Sequence, residues 1–511
     1  MYCGDETGSF IGEIGSHGSR FGYGGDDSPK YVVPSYMGVS PSGSSTANKA
    51  VRASCYNHRW ASQECRAPLR MVQAPASGEP VVNPAHYLSQ GDQIEDWDAY
   101  EQLWQSAFDT LHVRDQLKHT TGGKEGEGKC NHPLLVVAPG CTHMVGSSTG
   151  TAAAAAAHRK QMTQITELMM ETMQCPSMFV APAPMLAAFC HGRQTALVVD
   201  IGAGGTRVTP VVEGLLLRQA QRRSGRGGDW MGNVQWKALL EQKTVIRPRY
   251  QVTGNSVIPQ GKGIFHRWAM NDLMAELRTC EYATLPNGKD PATPLFPENE
   301  RNEQKDEEES EGENNDDEDG EDAVIAKGES NDDNAMDIEQ DPPAVQDPGN
   351  NKTFELPDGT LLDLNKGAGP DLCRTPELLF CSPLPFVRED ASAQSILDEH
   401  ASLSNAPIQD LIHSSLSAVG DIDARKDLAS NILITGGSSL FRGLEERVAH
   451  EVSVNATYKT KVVASKYNVE RSYASWIGGS ILTSLGSFQQ LWLGRTEYDE
   501  YGATLAIQRF P

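Results

Sequence analysis

Apolar and polar positions alternate in blocks along this chain, and one block occurs twice. Phe10 and Ile11 lead into EIGSHGSR (13–20); 187 positions on, Leu197, Val198 and Val199 lead into DIGAGGTR (200–207). Each copy reads as apolar strand, acidic residue, glycine turn, second strand. That is a β-hairpin whose tip can bring backbone N–H groups against phosphate. One glycine turn between strands is usually only a turn. Two copies this far apart point to two similar half-proteins holding one nucleotide between them.

The same patterning predicts the elements around the hairpins. DWDAYEQLWQSAFDTLH (96–112) repeats apolar residues at helical spacing, and LLVVAPG (134–140) is a buried strand ending in a turn. RKQMTQITELMMETM (159–173) predicts a helix with Met162, Ile165, Met169 and Met173 on one side, a stripe read as core. The strand VTPVVEGLLL (208–217) and a glycine-rich bend, RSGRGGDW (223–230), follow the second hairpin. TFELPDG (353–359) reads as another hairpin. NILITGGSSLFRGLEERV (431–448) reads strand, Gly-Gly, helix, with Leu440, Leu444 and Val448 on one face. A helix starting directly after the glycines would suit a phosphate or a nucleoside. Residues 40–90, rich in Ser, Pro, Gly and Ala, show no sustained period and read mostly as loop. Residues 141–157, with the run TAAAAAA, read as an inserted low-complexity linker.

Composition changes this picture in one place. At 511 residues the chain exceeds one compact core and fits two domains with room for an insertion. Between Glu298 and Asp347 lie 22 acidic and 3 basic residues, a net −19 of the chain's −24. Such a run cannot collapse against its own repulsion. An acidic insertion at 298–349 is therefore expected to be disordered, either as a solvated loop or as an arm that meets histones or other basic proteins. The remainder carries only −5, too little positive charge anywhere for a DNA backbone, so direct DNA binding is not expected. Ten cysteines show no CxxC pair and read as reduced structural thiols. With no secretory signal and no membrane-length apolar stretch in the sequence, an intracellular, soluble protein is expected.

Several segments together identify a family. GSRFGYGGDDSPKYVVPSYMG (18–38), HPLLVVAPG (132–140), QMTQITELMMETMQCPSMFVAP (161–182), DIDARKDLASNILITGG (421–437) and SWIGGSILTSLGSFQQLWLGRTEYDEYG (475–502) closely resemble segments of actin, in actin's order. Within that family the chain looks most like the nuclear actin-related protein 4 class. The opening YCGDETG, the C-terminal Arg509-Phe510-Pro511 and the segment 248–280 carry that closer likeness. The resemblance implies an α/β fold of the actin/hexokinase/Hsp70 type, two domains around a central nucleotide cleft. Residues 1–190 with 474–511 would form the first half and 191–473 the second.

Carried over residue by residue, the resemblance implies a damaged ATPase cleft. Asp200 keeps the family's metal-facing acid, and Glu13 replaces an aspartate as a weaker metal-facing candidate. Ala203 stands where actin-like ATPases have a second aspartate, and Ala183 where a glutamine orients the attacking water. A methyl group can neither hold a metal-bound water nor accept its proton. Arg207 replaces a histidine near the γ-phosphate, and His17 sits where a small residue lets backbone approach phosphate. Nucleotide contacts remain at Gly15, Ser16, Arg20, Asp200, Gly202, Gly204, Gly205, Gly228, Gly436, Gly437 and Ser438, with Phe441 in place of a tyrosine beside the base. ATP as a structural ligand, with or without Mg2+ and with little or no hydrolysis, is the expectation.

By resemblance, the protein would be a nuclear scaffold subunit of chromatin-remodelling or histone-acetyltransferase complexes, with the cytoplasm as a second location. It would pair with actin on the helicase-SANT-associated helix of a motor subunit and aid histone or nucleosome engagement. Residues 40–90 do not resemble actin's pairing loop, so a homo-filament is not expected. The alternative reading is a cytoplasmic actin-like regulator of filament assembly. A working ATPase or small-molecule kinase of the same superfamily is the third, opposed by Ala183 and Ala203.

Overall fold

A computed structural model of the chain describes residues 8–35, 94–113, 130–138, 150–241, 243–252, 264–279, 352–365, 375–380 and 406–510, with short stretches at 37–39, 50–52, 64–66 and 372–373. The acidic run at 298–349 lies outside the described residues, as do 141–149.

The first hairpin seeds a six-stranded sheet. Strands β1 (Phe10–Ile14) and β2 (Gly18–Tyr23) pair antiparallel, and β3 (Tyr31–Pro34) extends β2. Three short strands follow: β4 (Met37–Val39), β5 (Ala50–Arg52) and β6 (Glu64–Arg66), paired in the order β5-β4-β6. Strands β5 and β6 fall within 40–90, expected to be mostly loop; three residues are too few for an alternation to register. The rest of 67–90 lies outside the described residues. On its other side β1 takes β7 (Leu134–Ala138) and then β8 (Ser177–Pro182) in parallel. Every residue of β7 and β8 is buried, which explains their unbroken apolar sequence.

Helix α1 (Trp97–Leu111) starts where the Asp96 carboxylate accepts from the Ala99 N–H at 2.9 Å. It buries Trp104 and Phe108 against Phe10 and Phe21, with ring centroids 5.3 to 6.3 Å apart. Helix α2 (Gly150–Glu167) begins in the alanine run expected as linker. Alanine is the strongest helix former, so a run without any amphipathic period still makes helix. A π turn, Leu168–Thr172, continues it. Met162, Ile165, Met169 and Met173 are buried as their spacing predicts, and the wider π turn brings Met170 inward as well.

The second hairpin seeds the other sheet: β9 (Ala196–Gly202) and β10 (Gly205–Val212), with β11 (Leu215–Leu216) and β12 (Arg222–Ser224) both on β10. Helix α3 (Ala183–Cys190) connects β8 to β9. Helices α4 (Gly228–Glu241) and α5 (Ile264–Arg278) pack together, and β13 (Thr353–Glu355) with β14 (Leu361–Asp363) forms the expected hairpin. After helix α6 (Ile408–Ala418), strand β15 (Ile432–Thr435) joins β9 in parallel, and β16 (Val462–Ala464) closes that edge.

The Gly-Gly segment after β15 departs from expectation. It forms one 3-10 turn, Gly437–Ser439, and helix α7 (Leu444–Val454) starts only after Gly443. Positive φ at Gly436 (101°) and Gly443 (76°) breaks the chain twice before helix can form. Leu444 and Val448 are buried and Leu440 half-buried. In the same layer Arg447 is buried between Glu377 (3.2 Å) and Glu451 (3.0 Å).

Helix α8 (Asn468–Ser484), kinked at Tyr473, then carries the chain back to the first half by crossing α3. Gly478 permits the crossing: a Cβ there would lie 2.5 Å from the Leu186 carbonyl carbon. Leu493–Gly494 pairs antiparallel with β8 on the outside of the first sheet. Phe488 and Phe510 pack on Phe179 at 4.9 and 4.8 Å. Among the described residues no helix is long and apolar enough to cross a membrane.

Candidate functional site

The two hairpins face one cavity of about 330 Å³. Its walls include Glu13, Gly15, Ser16 and Arg20 from the first hairpin and Asp200, Gly202 and Gly204 from the second. Gly228, Gly436, Gly437, Ser438 and Phe441 complete the set expected from sequence. Gly205 is the exception: it stands behind the tip, where φ of 141° and the Ser224 carbonyl leave no room for a side chain. The tips have the same length. Ser16 and His17 make the first, closed by a Gly15 N–H to Gly18 carbonyl bond of 3.1 Å. Ala203 and Gly204 make the second.

Glycine at 436 and 228 brings the third wall in. A Cβ at Gly436 would lie 2.5 Å from both Asp200 Oδ1 and the Ile201 carbonyl oxygen; at Gly228 it would lie 2.5 Å from Ser438 Oγ. Backbone therefore approaches the cavity where side chains would otherwise fill it. Phe441 is buried and adds an apolar surface to the wall.

The charges follow from strand register. Glu13 is the direct cross-strand partner of Arg20, and Asp200 of Arg207. Directly opposed residues place their side chains on the same face. Arg20 Nη1 lies 3.3 Å from Glu13 Oε1, and Arg207 Nη1 lies 3.4 Å from Asp200 Oδ2. The Ser475 hydroxyl donates to Glu13 Oε1 at 2.7 Å, and the Arg20 guanidinium lies 4.9 Å from the Tyr473 ring centroid. Ala183 and Ala203 present methyl groups to the same space.

His17 does not lie back along its hairpin. Its ring stacks on Trp268 (centroids 5.7 Å apart), and its Nε2 is 3.6 Å from Asp272 Oδ1. Both partners sit on α5, so His17 spans the cavity mouth from the first half to the second. Beneath it Asp229 is buried, and that burial raises its carboxyl pKa against the opposing pull of His17, Arg278, Arg267 and a hydrogen bond with Asn271. Asp229, Asn271, Arg278, Tyr473 and Ser475 were not marked by the sequence patterning. They lie on helices whose periodicity reports only burial, and no local motif points to them.

A nucleotide fits these residues: glycine-backed turns, two arginines and an aromatic wall converge on a volume of the right order for a ligand pocket. A divalent cation does not fit. Each acid expected to face metal, Asp200 and Glu13, is ion-paired with an arginine instead, and Ala203 supplies no oxygen. The second oxygen of Glu13 is buried and has no hydrogen-bond partner among the described residues. Among the described residues no group of three or more His, Cys, Asp or Glu side chains could hold a metal.

Comparison with known proteins agrees with this architecture. The family model for actin matches residues 4–511. Along its whole length the chain is 29% identical to actin-related protein 4 of Oryza sativa subsp. indica and 26% identical to that of Arabidopsis thaliana, each covered completely. It is 28% identical to actin-related protein 4 of Emericella nidulans, over 99% of this chain and 97% of that protein.

Proposed function

Because this chain belongs to the actin family, we propose that it acts as a nucleotide-holding scaffold that does not turn its nucleotide over. ATP bound between the hairpins would tie the two halves into one shape, and that shape would be the functional product. The observation that carries this reading is the pairing of both cleft carboxylates with arginines, beside the methyl groups of Ala183 and Ala203. Phosphoryl transfer to water needs a group that orients or deprotonates the water. Arginine is a permanent donor and alanine is neither donor nor acceptor, so these positions supply none.

The wider role rests on likeness to proteins named actin-related protein 4 in plants and fungi. We place the protein in the nucleus, paired with actin on the helicase-SANT-associated helix of a remodeller or histone-acetyltransferase subunit. The acidic run at 298–349 would serve there as the contact for histones.

Two experiments test the proposal. Phosphate release from purified protein and ATP is expected to stay at the buffer background; sustained turnover would overturn the scaffold reading. Affinity purification from nuclear extract, read by mass spectrometry, is expected to recover actin with a remodelling motor or acetyltransferase scaffold. Recovery of cytoskeletal proteins alone would move the function to filament regulation.

A further inference from the structure

We infer that this cleft takes its nucleotide without a divalent cation, with Arg20 and Arg207 as the counter-charges to the phosphates. The inference rests on the nucleotide reading above and goes beyond it by fixing the ionic form of the ligand. Its basis is the repeated register. The arginine follows the acid by seven positions in both hairpins, Glu13 to Arg20 and Asp200 to Arg207, and both pairs face the same cavity. The duplication therefore repeats a cation along with the turn.

Each guanidinium lies beside the carboxylate that a metal would need. A metal ion entering at Asp200 would meet the positive Arg207 across one carboxylate width; at Glu13 it would meet Arg20, held by its pair and by the Tyr473 ring. Phosphate oxygens have the opposite preference. They accept from planar, fixed guanidinium donors, in geometry that arginine offers and a hydrated ion does not. The acids hold the arginines aimed into the cavity, so Glu13 and Asp200 become positioning residues rather than metal ligands.

The test is calorimetric titration of the full chain with ATP, first in excess EDTA and then in excess Mg2+. Affinity is expected to change by less than about threefold between the two. Binding that requires Mg2+ would overturn the inference while leaving nucleotide binding intact; no binding in either buffer would overturn both. Arg207→His supplies the second arm, read in the same two buffers, with circular dichroism to confirm that the variant is folded. Losing a charge-assisted donor is expected to weaken binding in EDTA by about ten- to hundredfold. Uncovering Asp200 should at the same time make Mg2+ strengthen binding. A folded Arg207→His variant that binds equally to the parent in EDTA would also overturn the inference.

Discussion

Gly478 is where a single methyl group should be felt both in stability and in the cleft. It lies on α8 where that helix crosses α3, and an added Cβ would sit 2.5 Å from the Leu186 carbonyl carbon and 3.0 Å from its Cα, with the carbonyl oxygen closer still. Ordinary contact needs 3.4 Å or more, so the two helices must separate by more than about 1 Å. What is struck is backbone, which cannot swing aside. Overpacking of this kind costs about 3 kcal/mol, the upper end of its usual range. Replacing glycine by alanine inside a helix returns about 1 kcal/mol, leaving a net loss of about 2 kcal/mol. If half the chain, roughly 200 residues, unfolds as a unit, its entropy of unfolding is about 0.4 kcal/mol/K and Tm falls by about 5 °C. The neighbouring glycine is the control. A Cβ at Gly479 meets the Leu135 Cδ2 at 2.7 Å and Ile11 Cγ2 at 3.5 Å, both ends of side chains that can turn. Gly479→Ala should therefore melt within about 2 °C of the parent. Calorimetry of the two variants decides the matter. Ala183, Pro184 and Ala187 of α3 and Tyr473 and Ser475 of α8 line the cavity, so Gly478→Ala should also weaken nucleotide binding. A Gly478→Ala protein as stable as the parent, or more stable than Gly479→Ala, would refute the argument that backbone contact sets the cost.

Acid sensitivity should follow from His266, whose pKa burial depresses to about 4 and whose Nδ1 is 2.6 Å from the Tyr250 hydroxyl. The unfolded chain binds the extra proton first, near pH 6.5, so stability is full above that pH and is lost as pH falls toward 4, by about 3 kcal/mol in all. Denaturant midpoints measured across that window should show the loss in the parent and a flatter curve in His266→Gln. Arg447→Met should destabilise by about 3–5 kcal/mol because it leaves Glu377 buried without its cation, and adding Glu377→Leu should recover most of that, both read from denaturant melts. His17→Ala removes a half-exposed contact with Asp272 and the stack on Trp268. It should change stability by less than about 1 kcal/mol yet speed nucleotide release in stopped-flow exchange, because the contact spans the cavity mouth.

Much of the site was legible because its two tips are written as one phrase twice. Every wall residue expected from the sequence lines the cavity except Gly205, which supports the tip from behind. The electrostatics were also present in the sequence: Arg20 and Arg207 end the repeated phrase as Glu13 and Asp200 begin it. What hid the pairing is that register depends on tip length, two residues in both hairpins, and only the folded ladder fixes that length. The alanine run forms helix through backbone preference alone, with no amphipathic period to mark it in the sequence. After β15 the glycines resemble a helix start in sequence, but Gly436 and Gly443 both take positive φ that a helix cannot contain. Asp229, Asn271 and Arg278 are brought to the cleft by the packing of α4 on α5, a contact between segments far apart in the chain, which no local pattern encodes.

The outermost strand of the first sheet, Leu493–Gly494, comes from the far end of the chain. During synthesis β8 therefore leaves the ribosome roughly 300 residues before its partner does, about 15–60 s at ordinary rates of elongation. Through that interval β8 offers an unpaired edge, and Phe179 lacks the rings of Phe488 and Phe510 that later cover it. The first half cannot finish folding while the second is being made, so a newborn chain depends on being shielded until its last residues arrive. A message cut short before residue 493 would yield not half a working protein but a sticky one.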